Sequence, residues 1–222
     1  MKTKMFLTAL CGVAIAMLAN TASAENALEK IKDGSGSRSG RSEGFRAGII
    51  CEQDYVSGVT LALASNIDNE AHAFEFAFLV NTAEKDSSGF QWGYFWGNYV
   101  NKGNFGGVQW GFIQNRVGGN MTGWQSSFIN LVDGDFCGLQ TGLYNCVEGK
   151  MTGVQWGWVN QACKDASGLQ MGLVNLTDGK ISGVQWGFYN QTKDLYGVQI
   201  GLVNRLVNYD KWPFTVLVRA VF

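Results

Sequence analysis

One proline and one histidine stand among 222 residues, and each scarcity excludes something. Proline cannot donate to a hydrogen-bonded ladder, so a chain nearly free of it can commit almost every backbone N–H to sheet. The single histidine, His72, lies in Asn69-Glu70-Ala71-His72, a turn-like stretch without the partners a general base or metal ligand needs. No catalytic, cofactor-binding or metal-binding residue is assigned, and no enzymatic activity is expected. Charge is also scarce: charged residues are 16% of the chain and the net charge is −1, which gives no electrostatic reason to expect nucleic acid. Of five cysteines, Cys51, Cys137, Cys146 and Cys163 follow the N-terminal apolar run at spacings that fit no metal motif. Free thiols are expected, although Cys137 and Cys163 would share a rim in an antiparallel meander.

The N-terminus reads Met1-Lys2-Thr3-Lys4, then an apolar run from Met5 to Leu18, then Ala22-Ser23-Ala24 before Glu25. This is the charged, apolar, small-residue order of a secretory signal peptide, and cleavage after Ala24 is expected. The run is shorter than the roughly 20 residues of a spanning helix. Cys11 lies inside it instead of at its end, and Thr8 precedes it by three, which disfavours a lipid anchor. Residues 25–43 are polar and rich in Ser and Gly, the composition of a flexible linker. Residues 44–222 are long enough for one domain.

What the chain has in abundance is glycine, 30 residues, with eight tryptophans, and both recur in a repeat. The motif Gly-apolar-Gln-x-Gly-x-apolar-Asn begins at Gly138, Gly153, Gly168, Gly183 and Gly197, with looser copies at Gly89, Gly107 and Gly123. The starts are 18, 16, 15, 15, 15, 15 and 14 residues apart. All eight copies keep the glutamine: Gln91, Gln109, Gln125, Gln140, Gln155, Gln170, Gln185 and Gln199. Weaker copies begin at Gly44, Gly58 and Ala73, and 214–222 alternates as well. Such self-similarity marks a stack or ring of equivalent units. The copies alternate with period two, Val184, Trp186 and Phe188 on one face and Gly183, Gln185 and Gly187 on the other, so each reads as one strand. Asp133-Gly134, Glu148-Gly149 and Asp178-Gly179 recur at one place in the period and read as two-residue hairpin turns.

These repeats resemble a family of bacterial surface-repeat proteins built from tandem GVQxGLxN copies after a signal peptide, as in Gly153 to Asn160 and Gly197 to Asn204. The resemblance implies an envelope or surface location and brings no catalytic residue with it. The copies at Gly89 and Gly107 depart from the pattern, with Trp96 and Gln114 where the Asn belongs.

Two architectures compete. The leading expectation is all-β, an antiparallel meander of about twelve strands closed as an outer-membrane β-barrel, its apolar face in lipid and Gly and Gln lining a narrow interior. Arg46, Glu75 and Arg219 take the inward parity. First and last strands would be neighbours, so both arginines would line one wall with Glu75 as counter-charge. Partners would be outer-membrane lipid and the barrel-assembly machinery. Against this, Trp92, Trp110, Trp156 and Trp186 fall in mid-strand instead of in interfacial girdles, and identical periods add no stagger, without which a barrel cannot close. The alternative is a β-solenoid with 15-residue coils, exported or surface-attached, binding a polysaccharide or protein partner through rings and amides on a repeating face. In it the Val-Trp-Phe face would be exposed and in want of a partner. The two differ in pairing: Gln155 faces Gly172 in the meander, but lies between Gln140 and Gln170 in the solenoid.

Overall fold

The computed structural model describes residues 41–209 and 213–222, so the expectations for the signal peptide and for most of the linker lie outside the described residues. Strand begins at Arg41 and recurs to Val221. Pairing is parallel throughout except at the last strand. Ala73, Gly89, Gly107, Gly123, Gly138, Gly153, Gly168, Gly183 and Gly197 stand in one column, with like residues beside like through the rest of the motif. This is a β-solenoid of about nine coils in continuous register. The expected antiparallel barrel is therefore corrected: parallel neighbours cannot be joined by two-residue hairpins.

Each copy makes one full coil and carries two strands instead of one. In the coil from Met151, residues 151–156 belong to a first parallel sheet and residues 159–162 to a second. The first sheet holds the Gly-x-Gln segments; the second stacks Val80, Gly97, Gln114, Ile129, Tyr144, Val159, Val174 and Tyr189. The chain turns between them at the second glycine of the motif. There the alternation slips by one: Gln155 points inward and Trp156 outward, yet Asn160, on the parity of Trp156, is fully buried. The irregular copies keep the same geometry by lengthening this corner. Asn98 and Asn115, not Trp96 and Gln114, fill the Asn column.

The turns at Gly134, Gly149 and Gly179 are corners between successive coils. A type I′ hairpin needs positive φ at both central residues, and these glycines do not have it. Left-handed backbone belongs instead to the first glycine of the motif, as at Gly153 (φ 122°) and Gly183 (φ 144°). A Cβ on Gly153 would also strike the carbonyl oxygen of Gly138 one coil below. The column admits a side chain only at Ala73, where φ is not left-handed.

The core lies between the two sheets. Phe105, Met121, Phe136, Met151 and Ile181 form one apolar column and Val100, Val117, Val132 and Val147 another, all within one buried cluster. Full burial of each such side chain contributes about 1.5–3 kcal/mol. At the C-terminal end, Phe214–Val221 pairs antiparallel with the last coil, from Gly197 beside Val221 to Arg205 beside Phe214. It covers the edge that a further parallel coil would otherwise occupy.

Cysteine pairs on the outer surface test the register. With native cysteines replaced by Ser, a Leu169→Cys, Val184→Cys chain should form a disulfide readily, because these residues are adjacent partners and a disulfide needs Cα atoms within about 7 Å. A Leu169→Cys, Phe188→Cys chain, which the antiparallel register would bring together, should stay reduced on a non-reducing gel. The reverse outcome would restore the meander.

Candidate interaction face and its buried amide ladders

Two columns of amides run through the solenoid. All eight motif glutamines are fully buried, and each from Gln109 onward donates its Nε2–H to the Oε1 of the glutamine one coil earlier at 2.7–2.9 Å. A second donor reaches across the coil to backbone carbonyls, as from Gln155 to Gln161 and from Gln185 to Gln191. The asparagines form a second ladder, from Asn81 through Asn98, Asn115, Asn130, Asn145, Asn160, Asn175 and Asn190 to Asn204, with steps of 2.8–3.3 Å. Here each Nδ2–H points to the following coil, opposite in sense to the glutamines. An amide hydrogen bond nets about 1 kcal/mol, whereas a buried amide left unpaired costs about 1–3 kcal/mol.

The asparagine ladder explains the second glycine. Asn145 and Asn160 also donate to the carbonyls of Trp156 and Met171, which precede Gly157 and Gly172 in the next coil. A Cβ on Gly157 would lie 2.7 Å from Asn145 Nδ2 and collide with the carbonyl of Gly142. The space is kept for the asparagine of the preceding coil, not for a glutamine across an antiparallel pair. Sequence reasoning placed Asn in the motif but gave it no role. Its odd parity, an amide on an otherwise apolar face, was the available signal. Sequence reasoning also missed a third series at the charged corner, where Asp86, Asn104, Asn120 and Asp135 each accept the backbone N–H of the residue stacked one coil on, at 2.7–2.8 Å.

Arg46, Glu75 and Arg219 occupy the glutamine column beyond its two ends. Glu75 is fully buried and accepts from Gln91 Nε2 at 3.1 Å and Ser65 Oγ at 3.3 Å, ending the ladder on the side toward which its N–H groups point. Arg46 donates to Thr60 Oγ1 at 3.1 Å in the coils before it. Arg219 lies opposite Gln199 at the other end, where Gln199 Oε1 has no partner among the described residues. Each end of the column is thus met locally: the Glu75 carboxyl accepts the outermost glutamine N–H, and the Arg219 guanidinium lies on the strand that covers the outermost amide oxygen. The two arginines do not share one wall. A linear stack sets its first and last coils farthest apart, whereas a closed barrel would join them.

The remaining expected candidates separate. His72 is exposed and hydrogen-bonds Ser88 Oγ through Nδ1 at 2.7 Å. Cys137 lies beside Thr122 and Thr152. Cys163 instead shares a hydrogen bond with the Cys146 thiol, which that bond and burial push well above the usual thiol range. The four cysteines among the described residues, Cys51, Cys137, Cys146 and Cys163, are free thiols. Among the described residues no three metal-ligating side chains cluster.

With amides and glycines turned inward, the outer surface of the first sheet and the adjoining corner carry three rows. One runs Phe74, Phe90, Val108, Trp124, Leu139, Val154, Leu169, Val184, Val198. The next runs Phe76, Trp92, Trp110, Ser126, Thr141, Trp156, Met171, Trp186, Ile200. The corner row is Phe78, Tyr94, Phe112, Phe128, Leu143, Trp158, Leu173, Phe188, Leu202. None of these side chains is charged, and only Ser126, Thr141 and Tyr94 are hydroxylic. Trp156 and Trp158 are each 62% exposed and Phe188 59%. Aromatic neighbours pack along the rows, with Trp92 on Trp110 at 4.9 Å and Phe112 on Phe128 at 4.7 Å. At about 4.8 Å per coil the rows are roughly 40 Å long. The glutamines expected to share this face with the rings are inside, which removes the amide half of a sugar-binding surface.

Burial raises the Glu75 carboxyl to about 7, against smaller downward pulls from its bonds to Gln91 and Ser65 and from Arg46. A raised carboxyl stabilises the fold below its ordinary range near pH 4.5 and loses that contribution as pH rises through about 7. Glu75→Gln, which extends the ladder with a neutral amide, should match the wild type in urea unfolding near pH 4. Near pH 8 it should be more stable by about 2–3 kcal/mol. A difference independent of pH would refute the buried ionisation. Comparison of the chain with protein-family models, with curated proteins and with solved structures finds no match in any of them.

Proposed function

We propose that this chain is an exported, non-catalytic β-solenoid of the bacterial envelope, of the surface-repeat kind its GVQxGLxN copies resemble, and that it works as an interaction module. The observation that carries this reading is the set of three uncharged rows. Monomeric soluble proteins expose contiguous apolar patches of a few hundred Å² at most, and larger ones mark binding surfaces. A face of nine coils built from Trp, Phe, Leu and Val, held in register by amide ladders buried behind it, has that character. The charged, apolar, small-residue order of Met1 to Ala24 supports export.

The rigid part and the working part are distinct. Inside, the ladders and the Phe/Met and Val columns fix the coil spacing; outside, the rows vary among apolar residues, which pack along the surface without being enclosed by the solenoid. Such division is expected of a scaffold that displays a surface, whereas an active site would concentrate irreplaceable polar groups at one point.

In the native host, the mature chain should begin at Glu25 and fractionate with the envelope. Trp158→Lys with Phe188→Lys, two exposed corner-row positions, should be exported and cleaved normally yet move to the soluble fraction. An unprocessed N-terminus would refute export. A double variant that stays in the envelope would refute the face as the working surface.

A further inference from the structure

We infer that the occupant of the uncharged face is the interfacial layer of a lipid bilayer, into which the corner row Phe78 to Leu202 sinks while the opposite corner stays in water. This rests on reading that face as the working surface, and it adds the partner.

Three observations carry it. First, charge is segregated around the coil. Glu84, Lys85, Asp86, Lys102, Asp133, Asp135, Glu148, Lys150, Lys164, Asp165, Asp178, Lys180, Lys193 and Asp194 lie at the corner between one coil and the next, and from Phe76 to Arg205 only Arg116 and Arg205, on the second sheet, carry charge elsewhere. The other corner, from Phe78 to Leu202, has no charged side chain. A body with one apolar edge and one charged edge orients itself at a water–lipid boundary as an amphipathic helix does. Second, the apolar corner meets the requirement lipid places on a backbone, that its polar groups be satisfied internally. Tyr94, Phe128, Leu173, Tyr189 and Val203 each donate their N–H to the preceding coil, to Ala77, Phe112, Trp158, Leu173 and Phe188 respectively, all at 2.9 Å. The corner can therefore leave water without stranding those donors. Third, the apolar surface bends, running from the first sheet around the corner. A rigid partner would need a matching concavity to cover both at once, which a second copy, bent outward at the same corner, does not present, whereas a fluid layer conforms to both. A polysaccharide would meet rings but few hydrogen-bonding groups, since the glutamines are buried.

The charged corner mixes both signs, so nothing selects an anionic headgroup. Binding is by burial of apolar surface and is indifferent to lipid charge, unlike that of a polybasic segment.

The chain from Glu25 to Phe222 is floated with vesicles of pure phosphatidylcholine and with vesicles containing phosphatidylglycerol. Partitioning should agree within about threefold between the two and persist at about 1 M salt, where screening extends only roughly 3 Å. Tryptophan emission should shift to the blue and be quenched by brominated acyl chains. Trp158→Lys with Phe188→Lys should lower partitioning at least about tenfold with an unchanged circular dichroism spectrum. Lys150→Glu with Lys180→Glu, at the charged corner, should leave it unaltered. Failure of the folded chain to float, flotation only with anionic vesicles and lost in salt, or a vesicle-independent dimer with shielded tryptophans would each overturn the lipid assignment. If the wild type does not float but the corner variant still leaves the envelope in cells, the face remains the working surface with a different partner; if neither effect is seen, both readings fall.

Discussion

An amide buried in a coil this small has few places to find a hydrogen-bond partner, and the one always available is the same amide in the next coil. That constraint organises the rest. A glutamine laddered to the glutamines one coil either way must recur in every coil, at one point of the cross-section, with the coils at hydrogen-bonding distance. Each interior column then becomes a recurring residue of the sequence, while the number of residues between recurrences can change wherever a corner absorbs the difference, as it does in the coils of Asn98 and Asn115. The glycines are secondary to it: one lets the backbone pass close over the coil below, the other leaves room for the asparagine that crosses beneath it. An unpaired amide would cost more than a paired one contributes, so a single substitution within the column harms two neighbours at once. Ladders of this type underlie the tight stacking of cross-β assemblies; here they are confined to one chain and closed at the end by Phe214–Val221 running the other way.

Much of this was legible in the sequence. The period, the inward Gln and Gly, the exposed Trp and the upstream copies at Gly44, Gly58 and Ala73 follow from counting and from alternation, which is local. What failed was the step from alternation to strand length. Period two carries no mark where a strand turns a corner if a glycine sits at the bend, so 13 residues that fold as two strands read as one. Asn160, falling on the parity of Trp156, marked the place. A lipid-facing amide in every copy is a cost no barrel would repeat, and read that way it signals a second inward face. The Asp-Gly pairs misled for a related reason. They satisfy the composition of a hairpin turn, but composition does not reveal φ, and the positive φ belongs to other glycines.

The charged residues show a different limit. Arg46, Glu75 and Arg219 were assignable to the interior by parity alone, yet their mutual arrangement depends on whether the chain closes on itself. In a ring the ends meet; in a stack they are as far apart as the molecule allows. The ladder end at Glu75 owes its raised carboxyl chiefly to burial, a quantity that alternation hints at but cannot supply. The outer face was legible in composition and not in purpose, because its side chains pack on one another along the rows and not against an interior that would fix their identity.

The two amide rails point opposite ways, glutamine donors toward the start of the chain and asparagine donors toward its end. Each coil therefore adds two dipoles that largely cancel, and no field accumulates along the stack as it does along a helix. Inserting or deleting a whole coil changes the number of rungs without changing the electrostatic demand on either terminus. Length is thus a nearly free variable for this architecture: duplication of a stretch of gene encoding 15 residues would extend the displayed face by one rung of side chains and leave the ends as they were.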